Sequence, residues 1–135
     1  MTSSSTVHQP RGSRFNPRSQ LGSNMPADGY LDLGDHHSGV VSMVGAIRVT
    51  QALGSGTWER HDHGDEVLVL LSGSATMTLR DADGRTEDHA LSDGDVLIIP
   101  RGIAHHATLH TPEVQVLFVT PRTGTREWSD ATEVE

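Results

Sequence analysis

From Val40 onward the chain consists of short apolar or β-branched runs, cut by turn chemistry at spacings of roughly 8–12 residues, and this pattern restricts the fold most. The runs are Val40 to Val49, Glu66 to Leu71, Ser74 to Arg80, Arg85 to Leu91, Val96 to Ile99, Ala104 to Leu109 and Val114 to Thr120. The breaks have physical causes. Asp83-Gly84 is a two-residue hairpin signal, Ser92 to Asp95 a tight turn, Pro100-Arg101-Gly102 a proline-initiated turn, and Thr111-Pro112 another. No window sustains a helical apolar period, so the chain reads as all-β, an antiparallel sandwich or barrel. Trp58, Leu68, Leu70, Leu79, Val96, Ile98, Leu117 and Val119 are its expected core.

At 135 residues one domain suffices. Residues 1–27 are rich in Ser, Pro and Gly and carry three Arg and no acid; they predict a flexible N-terminal arm. Residues 28–122 make the barrel, in which the stretch from Asp28 to His37 predicts an edge strand or a segment packed on a partner subunit. Residues 123–135 form an acidic tail, expected to fray from Gly124 on, with Trp128 as its anchor.

Composition removes whole classes of chemistry. Without cysteine there is no thiolate ligand, iron–sulfur cluster or cysteine nucleophile, and without lysine no Schiff base. Beyond residue 27, seven Arg face eighteen Asp plus Glu, a net −11 that disfavours nucleic acid. No apolar stretch approaches the roughly 20 residues that cross a bilayer, and no secretory h-region opens the chain, so a cytoplasmic protein is expected.

Carboxylates and imidazoles crowd the stretch Thr57 to Glu66. On an extended strand Glu59, His61 and His63 share one side while Trp58, Arg60 and Asp62 share the other. A turn near Gly64 returns Glu66 beside the first side. The later donors are His89, His105, His106 and His110, and His105 follows a strand and the Pro100/Gly102 turn. Taken alone, Glu59, His61 and His63 also fit an exposed polar strand face.

Gly94-Asp-Val-Leu-Ile-Ile-Pro100-Arg-Gly102-Ile-Ala-His105 resembles the second motif of the cupins at full spacing, with Leu109 where the motif closes on Asn. The first motif is matched by His61, Glu66 and Gly73; Glu59 stands in place of the leading His, and the opening Gly is displaced to Gly54. The resemblance spans about residues 40–121 and implies a double-stranded β-helix, the jelly-roll barrel of a small single-domain cupin. It also implies a mononuclear metal site. Two ligand sets are open: Glu59, His61, Glu66 and His105, favoured by the four residues between His61 and Glu66, or His61, His63, Glu66 and His105.

Either set suits a divalent transition metal. Two carboxylates favour Fe(II) or Mn(II), with Ni(II) or Zn(II) also accommodated. Asp62, Asp65 and Thr108 are of the right type to accept from the outer imidazole nitrogens. The expected function is a non-heme metalloenzyme acting on a small oxygen-bearing organic molecule. Its chemistry is dioxygenase-like or that of an isomerase, cyclase or lyase, with Glu59 or Glu66 as catalytic base where one of them is not a tight ligand. The alternative is a non-catalytic small-molecule-binding or sensing cupin. His106 and His110 alternate in sense with His105, so at least His106 is expected to point away from it as a solvated or interface residue, and His36-His37 to be arm residues. Arg60, Arg80 and Arg101 are expected to be solvated, with Arg101 the best placed to bind a substrate carboxylate. Similarity to small cupins further implies a homodimer formed through residues 28–45.

Overall fold

The computed structural model describes residues 14–22, 29–50 and 56–129. The expectations for residues 1–13, 23–28, 51–55 (with Gly54) and 130–135 lie outside the described residues. Among the described residues one helix, α1 (Pro17–Leu21), is followed by ten strands: β1 (Tyr30–Ser38), β2 (Val40–Thr50), β3 (Thr57–His61), β4 (Glu66–Ser72), β5 (Ala75–Arg80), β6 (Thr86–Leu91), β7 (Val96–Ile99), β8 (Ala104–Leu109), β9 (Glu113–Pro121) and β10 (Thr125–Ser129). They form two five-stranded antiparallel sheets, ordered β1-β2-β9-β4-β7 and β10-β3-β8-β5-β6. This is the jelly-roll barrel expected from the sequence.

Between the sheets lie two apolar groups. Leu70, Ala75, Leu109 and Val114 close one end of the barrel, and Met77, Leu79, Leu97 and Ile99 fill its middle. Burying each of the larger side chains contributes roughly 1.5–3 kcal/mol. The expected core needs correction on β7. Val96 and Ile98 are 58% and 59% exposed, and Leu97 and Ile99 are buried in their place. Register is the reason: Glu66 pairs with Ile99 and Leu68 with Leu97, and directly opposed residues share a face, so the inward Glu66 turns Ile99 inward. Leu117 and Val119 pair with Val69 and Val67 and so lie on the outer face.

Two stretches expected to be loose have regular structure. Asn16 caps α1 by accepting from the Ser19 amide at 3.1 Å, Pro17 starts it, and Leu21 is fully buried where the helix meets β2 and β9. In the tail, Thr125–Ser129 is a strand rather than a fray, running antiparallel to β3 with Trp128 opposite Trp58. Asp83-Gly84 does not make a two-residue loop. The Asp81 carboxylate accepts from the amides of Asp83 (2.9 Å) and Arg85 (3.0 Å), widening the connection to residues 81–85.

Candidate metal centre

The site lies at the end of the barrel where β3 stops, β4 starts and β8 starts. Glu59 and His61 are two apart on β3 and share its inner face; Glu59 sits opposite His105 in the β3–β8 register. Gly102 prepares that pairing. It takes φ +83° in the turn before β8, a region open to glycine, and its amide donates to the His61 carbonyl at 2.8 Å. The turns at residues 62–65 and 100–102 are tied together by the Arg101 amide, which donates to Asp65 at 2.8 Å.

Four side chains converge. His61 Nε2 lies 3.3 Å from Glu59 Oε1 and from Glu66 Oε2, and His105 Nε2 lies 3.2 Å from Glu59 Oε1 and from Glu66 Oε1. One donor atom from each of the four lies within 4.8 Å of the others. Ligand bonds of about 2.0–2.2 Å at roughly tetrahedral to right angles leave adjacent donors about 3.0–3.5 Å apart, so these spacings fit a single ion. His61 Nε2 and Glu66 Oε1 are buried without a hydrogen-bond partner, which costs stability unless something else satisfies them. The donor set therefore fits a divalent metal.

The members differ in access. The side chains of His61, His105 and Glu66 are 3%, 5% and 6% exposed, whereas that of Glu59 is 32% exposed, so the open side of the site is the side of Glu59. Outer contacts hold the buried members. Thr120 donates to Glu66 Oε2 at 2.6 Å, and Thr125 Oγ1 pairs with His61 Nδ1 at 2.8 Å, which leaves His61 Nε2 for the interior. Glu127 stands opposite Glu59 on β10. The facing Glu59 carboxylate and burial hold the Glu127 carboxyl above its ordinary value.

The sequence reading missed Thr120, Thr125 and Glu127. The residues proposed for that outer role by type lie elsewhere. Asp62 binds Arg60 at 2.7 Å, Asp65 takes the Arg101 amide, and Thr108 is exposed opposite Thr76. His63 does not join the four donors. It is exposed, its Nδ1 within 2.8 Å of Thr123 Oγ1. His106 turns outward, as expected, with its ring edge-on to Trp58 at 4.3 Å. His110 Nε2 meets Thr76 Oγ1 at 2.7 Å, and His89 lies 3.4 Å from Glu87. Arg80 stacks over Trp58 and Arg60 over Trp128, at 4.2 and 5.9 Å from the ring centroids, on the outer face of the second sheet. Arg101 is exposed in its turn.

The electrostatics predict how protons and metal compete. Burial pulls both imidazoliums down, but the facing carboxylates of Glu59 and Glu66 outweigh it, pushing His61 up to about 10 and His105 to about 9. Burial raises Glu59 and Glu66, but the facing His105 and His61 rings carry both below the usual carboxylate value. In chelator-treated protein the imidazolium contribution should be complete below the ordinary histidine value of 6.5 and disappear as pH rises through 9 to 10. Its Tm should therefore fall over that interval. Metal requires neutral imidazoles, so uptake at pH 7 should release about two protons per chain. Titration in weakly buffered solution measures that release, and release near zero would contradict the charge assignment.

A scan against protein families matches the Cupin domain to residues 48–120, just over half of the chain. Among curated proteins, acireductone dioxygenase from Bacillus cytotoxicus is 34% identical over 65 residues, covering 46% of this chain and 38% of the relative. The chain thus matches less than two-fifths of that relative's length. A cupin-2 domain protein from Shewanella frigidimarina superposes with TM-score 0.61 at 18% identity, covering 80% of this chain and 94% of the other. Hydroquinone 1,2-dioxygenase from Sphingomonas sp. TTNP3 superposes with TM-score 0.57 at 16% identity, covering 84% and 81%. At such identities the superpositions speak for the fold. The family match over residues 48–120, with the two-sheet barrel that encloses the four donors, shows that this chain belongs to the cupins.

Proposed function

We propose that the protein is a metal-dependent cupin enzyme that binds a divalent ion through Glu59, His61, Glu66 and His105 and acts on a small oxygen-bearing organic molecule. One observation carries the reading: four donors of metal-ligand type meet within 4.8 Å, and two buried atoms among them lack hydrogen-bond partners. Two carboxylates beside two imidazoles favour Fe(II) or Mn(II). When bound, such an ion supplies Lewis acidity and, as iron, redox chemistry.

The protein's own residues divide the remaining work. Thr125 and Thr120 hold His61 and Glu66 in place. Glu59, on the open side, is the carboxylate that faces an incoming molecule, and it serves as base only where it does not hold the ion tightly, while Glu66 stays anchored. The segment similar to acireductone dioxygenase supports a dioxygenase-like reaction over the non-redox classes. Edge strand β1 supports a homodimer, because it is exposed along most of its length and leaves backbone groups for a second copy to pair with.

Protein prepared anaerobically should retain about one divalent ion per chain. It should then consume oxygen with at least one class among catechols, β-diketones, acireductones and amino-acid-derived thiols, and sediment as a dimer. Folded protein that takes up no divalent ion overturns the metal reading. Ligand binding without turnover would favour the sensing alternative, and a stable monomer removes the dimer.

A further inference from the structure

We infer that the ligand of this centre is an uncharged, flat hydroxyl- or carbonyl-bearing molecule, preferably aromatic, and not an organic anion. The inference rests on the proposed metal site and names the class of molecule that enters it. It follows from where the protein's cations are and from what surrounds the open side.

All ten basic residues are Arg. Arg60, Arg80 and Arg126 lie on the outer face of the second sheet, where Asp62 takes both Arg60 (2.7 Å) and Arg126 (3.4 Å). On the first sheet Arg48 is opposite Gln115, on the face away from Glu66, and lies 3.8 Å from Glu113. Arg85 and Arg101 are exposed in turns, and Arg14 and Arg18 belong to the α1 segment. Of the segments outside the described residues, only 1–13 holds a cation, Arg11.

Arg122 remains, two residues past Thr120 at the site end of β9, and it is already neutralised. Its Nε donates to Asp35 at 2.6 Å, and its Nη2 to Asp32 at 2.9 and 3.0 Å. Both acids lie on β1, opposite Gly45 and Met43. With Glu59 and Glu127 the inner side of this rim holds four carboxylates against one guanidinium. An organic anion entering beside Arg122 would lose hydration and meet a guanidinium already bound by two carboxylates.

Between Arg122 and the barrel interior the wall is aromatic. Phe118 shares the inner face of β9 with Thr120, about 7 Å away along the strand. It packs over Gly45, where an added Cβ would also meet the Leu31 carbonyl at 2.7 Å. Tyr30 on β1 stands edge-on to Phe118, ring centroids 6.4 Å apart, and is 59% exposed. A flat ring can pack against this pair.

Mn(II)-loaded protein titrated anaerobically with 4-methylcatechol and with 3,4-dihydroxybenzoate tests this by calorimetry, the two probes differing in a methyl against a carboxylate. The neutral probe should bind at least about tenfold more tightly, the cost of bringing an unpaired carboxylate to an acidic rim. Equal or tighter binding of the benzoate, or no binding of either, overturns the inference while leaving the metal site standing. Failure to load Mn(II) would sink the metal reading and this inference with it. The double variant D32N/D35N releases Arg122 and should narrow the preference by tightening the benzoate alone. Should the preference stay as wide, Arg122 neutralisation is not its source. Tight benzoate binding abolished by R101A would assign an anion site to the turn instead.

Discussion

Glu59→Gln should lower the divalent-metal content of the purified protein at least about tenfold, whereas His63→Ala should leave it nearly unchanged. Glutamine keeps the shape of the side chain and one carbonyl oxygen but loses the charge that faces both imidazoles. Glu59 Oε1 lies 3.2–3.3 Å from His61 Nε2 and from His105 Nε2, so one substitution weakens two neighbours as well as the ligand itself. His63 stands outside the cluster, exposed and bonded to Thr123. The check is the metal-to-protein ratio after dialysis against limiting Mn(II) or Fe(II), with circular dichroism confirming that both variants fold. The reverse pattern, an intact Glu59→Gln and a depleted His63→Ala, would give the site to His61, His63, Glu66 and His105. Proton release offers a second readout: with Glu59 neutralised, His61 and His105 lose a main cause of their raised values and should release fewer protons on metal uptake at pH 7.

The donor side chains are legible in the sequence because they depend on local geometry. Two-residue alternation places Glu59 beside His61, and the Pro100–Gly102 turn sets the start of the strand that carries His105. What escapes the sequence is decided by pairing between distant segments. Val96-Leu-Ile-Ile99 is apolar throughout, so alternation alone cannot say which pair faces in; the partner Glu66, 33 residues away opposite Ile99, decides it. Thr120 and Thr125 read as ordinary strand residues, and only the barrel's closure carries them to Glu66 and His61, 54 and 64 residues away. Helix α1 is too short to show an apolar period. Its N-cap Asn16 and Pro17 are visible in the sequence, but they have meaning only because Leu21 finds β2 and β9 to pack on.

Trp128→Ala should destabilise the protein by about 3–5 kcal/mol, a large aromatic lost from a buried position. In a domain of this size that corresponds to a Tm lower by roughly 10–20 °C. Thr125-Arg-Glu-Trp-Ser129 carries a single large apolar residue, so its own propensity is weak, and β10 is held by pairing with β3 and by Trp128. Trp128 is 7% exposed and packs with Trp58 and Ala104 on the outer face, while Arg60 covers its ring. Losing that contact loosens the strand whose inner face presents Thr125 to His61 and Glu127 to Glu59, so metal affinity should fall together with stability. Thr125→Val separates the two effects. It keeps the β-branched shape and removes the hydroxyl, leaving the buried His61 Nδ1 without its partner, so stability measured with chelator present should fall by only about 1–3 kcal/mol, less than for Trp128→Ala, while metal affinity drops about 10–100-fold. A Trp128→Ala protein with an unchanged melting curve would mean that β10 is dispensable. A Thr125→Val protein with unchanged metal affinity would mean that the strand supports the barrel without orienting His61.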